Sequence, residues 1–216
     1  MIAELPLVPK THPHFKEWMI RKMSFEKFSS YLQQKNKPLH ILDLGCGNGW
    51  MSNKMSEINQ SLVIGVDLNR YETEQAKRVF QNNNRLTFFA GDLMSDHLFH
   101  TEKFDIIVLA ASIQYFPDLN RLIKYLLGFL NSNGEIHIVD SPFYSEDNIA
   151  KAKESSRQYY STLNCIEMAD YYHHHLWKEL SGFHYNLLNR SLRNRISLKI
   201  FRTKRNYFPW LVIRPL

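Results

Sequence analysis

A short apolar segment followed by three closely spaced glycines constrains the fold of this chain more than any other feature. The segment covers residues 39–44, and Gly45, Gly47 and Gly49 then occupy alternate positions. An apolar run of this length that ends at glycines is typical of a buried parallel strand. Apolar residues at helical spacing follow over 51–58. The sequence therefore predicts a strand, a glycine loop and a helix in succession.

The position of the glycine loop indicates a ligand site. Glycines let a ligand lie against bare backbone, and the following helix presents free N–H groups. The same glycine spacing occurs in ordinary tight turns. It indicates a ligand site here only because the loop lies between a strand and a helix. A dinucleotide site requires a glycine where this chain has Trp50, and a P-loop requires a Gly-Lys-Ser/Thr sequence that does not follow. The loop therefore predicts a nucleotide-like ligand without a pyrophosphate.

Length and composition favour one ordinary α/β domain. The 216 residues suffice for one well-buried domain and are few for two. Cys46 and Cys165 are the only cysteines, too few for a disulfide framework. The first residues lack the basic and apolar regions of a signal peptide, and no apolar stretch is long enough to span a bilayer. We therefore expect a cytoplasmic protein without a membrane partner.

Strand and helix patterns alternate along most of the chain. Predicted strands cover 39–44, 62–67, 85–90, 104–110 and 135–140. Predicted helices cover 15–32, 51–58, 70–81 and 117–130. Five strands that alternate with helices predict an α/β fold with a doubly wound, Rossmann-like parallel sheet.

Carboxylates follow several of these strands, at the sheet edge where ligands bind in open α/β proteins. Asp67 ends the second strand, 22 residues after Gly45. An acid at this separation is suited to hold the two hydroxyls of a ribose. Its alternative role is to cap the next helix, a task that Asn69 can take instead. Asp92 follows the third strand and is suited to accept from a purine amine, although Gly-Asp is more often a turn.

Five short segments carry a more specific signal. They are Leu-Asp-Leu-Gly-Cys-Gly-Asn-Gly at 42–49, Gly-Val-Asp at 65–67, Gly-Asp at 91–92, Phe-Asp-Ile-Ile-Val-Leu at 104–109 and Asn-Gly-Glu-Ile-His-Ile-Val-Asp at 133–140. In order and spacing the chain resembles the class I S-adenosylmethionine-dependent methyltransferases over residues 38–140. The resemblance implies a seven-stranded, mostly parallel sheet with an antiparallel C-terminal strand. Residues 183–189 and 207–213 are the candidates for the last two strands.

The resemblance also implies a cofactor, S-adenosylmethionine, and its product S-adenosylhomocysteine. Nine residues would then contact it: Asp43, Gly45, Gly47, Asp67, Leu68, Asp92, Leu93, Ala110 and Gln114. The first three would line the methionine and sulfonium portion. The next two would hold the ribose and cover the adenine. Asp92 and Leu93 would bind the adenine edge, and the last two residues would close the other side.

We predict a single domain of four parts. They are a helical lid, a cofactor-binding core, a substrate cap with a helix, and the C-terminal strands, at 1–37, 38–140, 141–181 and 182–216. In the lid, Arg21 and Lys22 are interpreted as solvated surface charges rather than as partners of a ligand carboxylate. Residues 192–204 fit a helix and a strand equally well.

The predicted cap raises the questions of a metal and of a general base. A helix over 167–180 would carry His173, His174 and His175. Adjacent residues point about 100° apart around a helix, so these three would not share one metal, and we predict no metal site. A base is needed only if the acceptor arrives protonated. The candidates for that role or for acceptor contact are Tyr115, Asp140, Tyr144 and His173, and because no motif supports them the catalytic residues stay unassigned.

Charge distribution separates the functional hypotheses. The net charge of +6 arises at 180–216, where eight Lys/Arg occur without a carboxylate, whereas the first 179 residues hold 19 basic and 21 acidic residues. The first hypothesis is methyl transfer to a small molecule, because the cap is rich in aromatic residues and no RNA-binding module is visible. The alternative is a tRNA or rRNA methyltransferase whose basic segment contacts phosphates. A third hypothesis, a non-catalytic cofactor-binding protein, is disfavoured by the intact acids and glycines. The sequence predicts no oligomeric state.

Overall fold

A seven-stranded mixed sheet forms the centre of the computed structural model, which describes residues 2–96, 98–188 and 208–215. The strands are β1 (His40–Leu44), β2 (Leu62–Asp67), β3 (Leu86–Ala90), β4 (Phe104–Ala110), β5 (Leu130–Val139), β6 (Tyr185–Leu187) and β7 (Leu211–Ile213). Their order is β3-β2-β1-β4-β5-β7-β6. The first five strands are parallel, and β7 runs antiparallel to both of its neighbours. The predicted Rossmann-like fold with an antiparallel C-terminal strand is confirmed.

Helices cover both faces of the sheet. They are α1 (Phe15–Gln33), α2 (Trp50–Ser56), α3 (Arg70–Val79), α4 (Leu119–Leu127) and α5 (Glu146–Thr162). Leu122, Ile123 and Leu126 of α4 belong to one hydrophobic cluster, whereas Phe28 of α1 and Met55 of α2 belong to another. Consecutive side chains of β4 alternate between the two clusters. This burial on both sides explains why β4 is an almost continuous apolar run.

The fifth strand is longer than predicted. The sequence indicates a turn over 131–134, but β5 already begins at Leu130, which pairs with Phe104. The register then shifts, and Glu135 pairs with Ile106. Residues 131–134 have no partner in this pairing, so the predicted turn cluster forms an irregular stretch between the two paired parts of the strand.

The helix predicted over 167–180 is wrong. The chain forms two 3₁₀ turns, Ile166–Tyr171 and Trp177–Leu180, with extended chain between them. The His173 N–H donates to the Gln114 carbonyl at 2.7 Å, and the His175 carbonyl accepts from the Tyr144 N–H at 2.9 Å. These bonds to distant segments replace those that a helix would make. The insertion before this segment forms α5, which none of the sequence patterns predicts.

A buried charge cluster joins the end of α1 to β5 and to the residue after β7. The Glu135 carboxylate accepts from Lys35 Nζ, from an Arg214 guanidinium nitrogen and from the Tyr31 hydroxyl at 2.8, 2.8 and 2.9 Å. His137 lies within 3.3 Å of the same carboxylate. Although burial opposes ionisation, the hydrogen bonds from His137, Lys35 and Arg214 hold the pKa of Glu135 well below its usual value. The cluster fastens α1 to the sheet.

The C-terminal strands β6 and β7 lie within their predicted ranges. The undecided segment over 192–204 lies outside the described residues. Of the helices among the described residues, none combines the length and the apolar character that crossing a bilayer requires.

Candidate active site

The predicted site residues gather at the carboxyl ends of β1, β2, β3 and β4. β1 has β2 on one side and β4 on the other, so the connections leave β1 in opposite directions. Such a reversal opens a crevice beyond the strand ends, which is where ligands bind in sheets of this type.

Glycine is required at the start of the loop after β1. Gly45 has a φ of 80°, and a Cβ added to it would lie 2.4 Å from the Ser112 Cβ. The Ser112 hydroxyl donates to the Leu44 carbonyl at 2.7 Å. The loop is thus packed directly on the segment after β4, and only a residue without a side chain permits that approach.

Trp50 explains why the chain departs from the dinucleotide pattern. Its ring is nearly buried and meets Trp18 and Phe25 of α1 edge to face, at centroid distances of 5.8 and 5.5 Å. Where a dinucleotide protein uses glycine to bring helix and strand together, this chain uses an aromatic ring to dock α1 beside the glycine loop.

Asp67 faces the crevice from the end of β2. Its Oδ2 accepts from the Gly47 N–H at 2.7 Å, and its Oδ1 accepts from the Asn69 N–H at 2.8 Å. The Asn69 side chain caps α3 by accepting from the backbone of the first turn. Asp67 is therefore not the cap, and its carboxylate joins the two loops that border the crevice. Leu68 beside it is 69% exposed.

Asp43 is a buried carboxyl beneath the same crevice. Its Oδ2 accepts from the Ser52 hydroxyl at 2.5 Å. Burial raises its pKa to about 7, the Ser52 hydrogen bond opposes the rise, and the charge of Asp67 adds to it. Ser52 belongs to α2, so this hydrogen bond joins strand and helix across the glycine loop.

Asp92 and Leu93, which follow β3, differ in how far their side chains are buried. Asp92 is half-buried and accepts from the Met94 N–H at 2.9 Å and the Ser95 hydroxyl at 2.8 Å. The side chain of Leu93 is 1% exposed and packs in the hydrophobic core. The structure therefore does not support the adenine contact predicted for the Leu93 side chain, because that side chain points away from the crevice.

The segment after β4 holds a buried polar atom without a partner. Ala110 is half-buried at the end of β4, and Ala111 has a φ of 53°. Gln114 Nε2 donates to the Ala111 carbonyl at 2.5 Å. The Gln114 side chain is 8% exposed, and its Oε1 accepts no hydrogen bond from the described residues. A buried acceptor in this condition is destabilising unless a ligand or water supplies a donor.

Ser24, Glu72 and Arg21 also border the crevice. The sequence indicated no role for the first two and predicted a solvated surface charge for the third. Ser24 of α1 donates to Asp140 Oδ1 at 2.5 Å. Glu72 in the first turn of α3 comes so close to Gly47 that a Cβ there would lie 2.7 Å from its Oε2. Burial raises the pKa values of Glu72 and Asp140, and the charge of Arg21 opposes both shifts. The charge of Arg21 therefore acts on both carboxyls, although Arg21 also pairs with Glu17.

Of the four candidates for acceptor contact, Asp140 borders the crevice beside Ser24, and the other three lie in the cap or against it. Tyr115 and Tyr144 meet residues of the cap, and His173 is bound to Gln114 through its backbone. Burial lowers the pKa of His173, so its imidazole is neutral near pH 7. Among the residues that the structure describes, no group of three or more His, Cys, Asp or Glu side chains is placed to hold a metal.

Comparison with known proteins bears on this site. Residues 41–134 match the family model described as a methyltransferase domain. Malonyl-(acyl-carrier protein) O-methyltransferase of Halalkalibacterium halodurans is 28% identical over 103 residues, which cover 46% of this chain and 38% of that protein. The ubiquinone biosynthesis O-methyltransferase of Pelagibacter ubique is 29% identical over 110 residues, which cover 50% of this chain and 45% of that protein. The matched part of the chain therefore spans less than half the length of these relatives.

A solved structure extends the likeness in fold to the whole chain. The plantazolicin methyltransferase BpumL in complex with SAH superposes with a TM-score of 0.66 at 20% identity, over 100% of this chain and 94% of that one. The domain match over 41–134 and this likeness in fold together confirm the resemblance inferred from the five sequence segments. The chain therefore has the fold of the class I S-adenosylmethionine-dependent methyltransferases, and its residues 41–134 match a methyltransferase domain.

Proposed function

We propose that the protein is a methyltransferase that uses S-adenosylmethionine to methylate a small-molecule acceptor. The observation that carries the proposal is the crevice between the glycine loop and Asp67, which gathers carboxyls and bare backbone at the point where the sheet order reverses. The methyltransferase names of the relatives support the reaction type.

The residues present fit an adenosyl ligand. Gly45 and Gly47 leave backbone uncovered for its amino-acid end, and Asp67 stands where a ribose diol would be held. Leu68 offers an exposed apolar side chain to the adenine. The unpartnered Oε1 of Gln114 supplies a ready acceptor for a donor of the ligand.

The charges of the crevice fit the same ligand. Asp43, Asp67 and Glu72 all act on the Cys46 thiol, whose pKa is raised by burial first and by these charges second. S-adenosylmethionine has an ammonium group and a positively charged sulfur, both of which such carboxyls attract. Its carboxylate would meet Arg21, whose charge acts on both Glu72 and Asp140. We therefore assign α1, which bears Arg21, as a lid over the site.

The chain contributes mainly binding and alignment. When bound, S-adenosylmethionine supplies a methyl group on sulfur that leaves as a neutral thioether. The glycine loop and Asp67 hold the ligand, while Gln114 and the cap residue His173 border the acceptor side. Fixing both reactants in line supplies several kcal/mol without a dedicated acid or base.

The small-molecule acceptor is supported by the names of relatives that act in ubiquinone and plantazolicin chemistry. Seven of the eight basic residues invoked for RNA, those between 190 and 205, lie outside the described residues, and the eighth, Arg214, pairs with Glu135. No specific observation in the described chain therefore favours RNA. The absence of a disulfide between Cys46 and Cys165 supports a cytoplasmic location.

Calorimetric titration with S-adenosylhomocysteine tests the proposal. In Asp67→Asn we expect affinity to fall about tenfold or more, because a charge-assisted hydrogen bond to a hydroxyl is worth about 1.5–3 kcal/mol. Glu74→Gln is the matched control. Glu74 lies on α3, the helix that follows Asp67, and its carboxylate pairs with Lys77 at the surface. Equal affinity in Asp67→Asn and Glu74→Gln, or no binding by the unchanged protein, would contradict the proposal.

A further inference from the structure

We propose that the methyl acceptor is a planar, uncharged aromatic compound that binds against four tyrosines, Tyr115, Tyr144, Tyr160 and Tyr172. We call these residues the tyrosine cluster. The inference rests on the proposed methyltransferase function and deepens it by naming the class of acceptor. Two of the four, Tyr160 and Tyr172, were not among the candidates that the sequence indicated.

The tyrosine cluster lies at the carboxyl ends of β4 and β5, next to the cofactor crevice. Tyr115 directly follows Gln114, and Tyr144 comes five residues after the end of β5. The backbone bonds from His173 to Gln114 and from Tyr144 to His175 hold the cap across these two strand ends. The His175 ring adds a contact of 2.9 Å to the Ile113 carbonyl. The cluster is thus fixed to the segment that closes the acceptor side of the crevice.

The four tyrosines come from four separate segments, so no single helix or strand pattern brings them together. The Tyr172 ring lies 6.3 Å from that of Tyr115 and 6.1 Å from that of Tyr160. The hydroxyls influence one another in two pairs, Tyr115 with Tyr160 and Tyr144 with Tyr172. Aromatic rings and hydroxyls therefore gather at one place, and Tyr115 remains 48% exposed.

The groups that act on the buried hydroxyls of the cluster are uncharged near pH 7. Burial raises the pKa of Tyr160 to about 12 and also raises that of Tyr144 and Tyr172. The groups acting on these three hydroxyls are other tyrosines and a cysteine. The His174 ring lies 4.9 Å from that of Tyr172, and burial and then the charge of Lys153 lower its pKa, so it is neutral as well.

This chemistry selects the acceptor. A charged acceptor would lose its hydration here without gaining a charged partner. A flat aromatic ring gains offset or edge contacts with tyrosine rings, and a hydroxyl on that ring meets the tyrosine hydroxyls. An alkylammonium ion is the rival ligand, because ring faces also attract cations. The rings of Tyr115 and Tyr160 meet that of Tyr172 at 80° and 60°, so the faces are directed at other rings instead of surrounding one point.

The chain provides a matched control for the test. Tyr171 and Tyr172 are adjacent tyrosines, yet Tyr171 is 65% exposed whereas Tyr172 lies within the cluster. The Tyr171→Ala and Tyr172→Ala variants remove the same side chain from neighbouring positions. Tyr172→Phe removes only the hydroxyl and keeps the ring. It therefore tests the cluster even if Tyr172→Ala disrupts the cap.

The probe is 2-naphthol, a neutral planar phenol, titrated into the protein with and without saturating S-adenosylhomocysteine. We expect 2-naphthol to bind the unchanged protein, to bind Tyr172→Ala about tenfold more weakly and to bind Tyr172→Phe about threefold more weakly, as the loss of ring contacts and of one hydrogen bond predicts. Tyr171→Ala should bind 2-naphthol as the unchanged protein does. All three variants should bind S-adenosylhomocysteine with unchanged affinity.

Several results would overturn the inference. They are no binding of 2-naphthol by the unchanged protein, equal loss in Tyr171→Ala and Tyr172→Ala, or binding of tetramethylammonium in place of 2-naphthol. Failure to bind S-adenosylhomocysteine would instead count against the proposed function. The titration without that ligand still reports on the tyrosine cluster in that case, so the two failures are distinguishable.

Discussion

Two buried carboxyls on parallel strands of this sheet have opposite surroundings. Glu135 on β5 is met by Lys35, Arg214 and His137, and its pKa lies well below the usual value. Asp43 on β1 is met by the neutral hydroxyl of Ser52 and by a second carboxyl nearby, and its pKa is raised to about 7. The chain thus neutralises one buried acid with its own cations, whereas no cation from residues 2–96, 98–188 or 208–215 contacts the other.

The difference separates a structural cluster from a binding site. A buried carboxylate is tolerated in the folded state when cations and hydrogen bonds replace its hydration. At Glu135 the chain provides them, and the result ties α1 to β5. In the crevice above Asp43 the carboxyls outnumber the cations, so a ligand that brings positive charge is favoured there. The predictions below test this contrast, from the largest expected effect on stability to the smallest.

Removing the charge of Glu135 should give the largest loss of stability. Glu135→Gln leaves the cations around it without their partner, and we expect the free energy of unfolding in urea to fall by about 3 kcal/mol. The affinity for S-adenosylhomocysteine should not change, because the cluster contacts the C-terminal end of α1, about 15 Å along the helix from Arg21. Glu74→Gln, which removes an exposed carboxylate, should change neither quantity. A weakened ligand affinity in Glu135→Gln would break the distinction between the two regions.

Filling the glycine loop should affect both stability and binding. In Gly45→Ala the side chain must adopt a φ of 80° and displace Ser112, so we expect a loss of about 2 kcal/mol in the free energy of unfolding. S-adenosylhomocysteine binding should weaken by about tenfold or more, since the bare backbone no longer faces the ligand. Gly182→Ala is the control, because a Cβ there has no neighbour within 4 Å among the described residues. Unchanged binding in Gly45→Ala would show that the loop does not hold the ligand.

Asp43 should make stability depend on pH in the direction opposite to Glu135. In the unfolded chain it loses its proton at about pH 4, whereas in the folded chain it keeps the proton up to about pH 7. The folded chain therefore binds the extra proton between these values, and stability falls as the pH rises through this window. For Glu135 the sign is reversed: its contribution is present above the unfolded pKa and is lost as the pH falls.

The Asp43→Asn variant isolates this dependence. We expect it to be about 1 kcal/mol or more stable than the unchanged protein at pH 8, where the ionised carboxyl is unfavourable, and equally stable near pH 4.5. Urea unfolding at several pH values measures the difference, with Glu74→Gln as the control for removing a carboxylate at the surface. A difference that stays constant between pH 4.5 and pH 8 would contradict the pKa assigned to Asp43.

The sequence predicted the cofactor side of the molecule far better than the cap. Local rules account for the strand and glycine loop at 39–49 and for Asn69 as the N-cap of α3, which leaves Asp67 free of that role. They suffice because a glycine conformation or a helix N-cap depends on neighbours in the chain. At Leu93 a contact with the ligand was predicted, whereas the structure places the side chain in the core, as its apolar character allows.

The cap depends on contacts that no local pattern reveals. His173 bonds to Gln114, 59 positions earlier, and His175 contacts Ile113, 62 positions earlier. Such bonds turned a predicted helix into extended chain. The helix α5 has no buried residue, so the apolar periodicity that reveals helices is weak in its sequence. The convergence of Tyr160 with Tyr172 likewise depends on the folded arrangement.

A crystal structure of the protein with S-adenosylhomocysteine tests the central claim most directly. The account predicts ligand density along the carboxyl ends of β1 and β2, with the ribose hydroxyls within hydrogen-bond distance of Asp67 and the amino-acid end against Gly45 and Gly47. Density at another place, or a complex in which the Asp67 carboxylate faces away from the ligand, would contradict it.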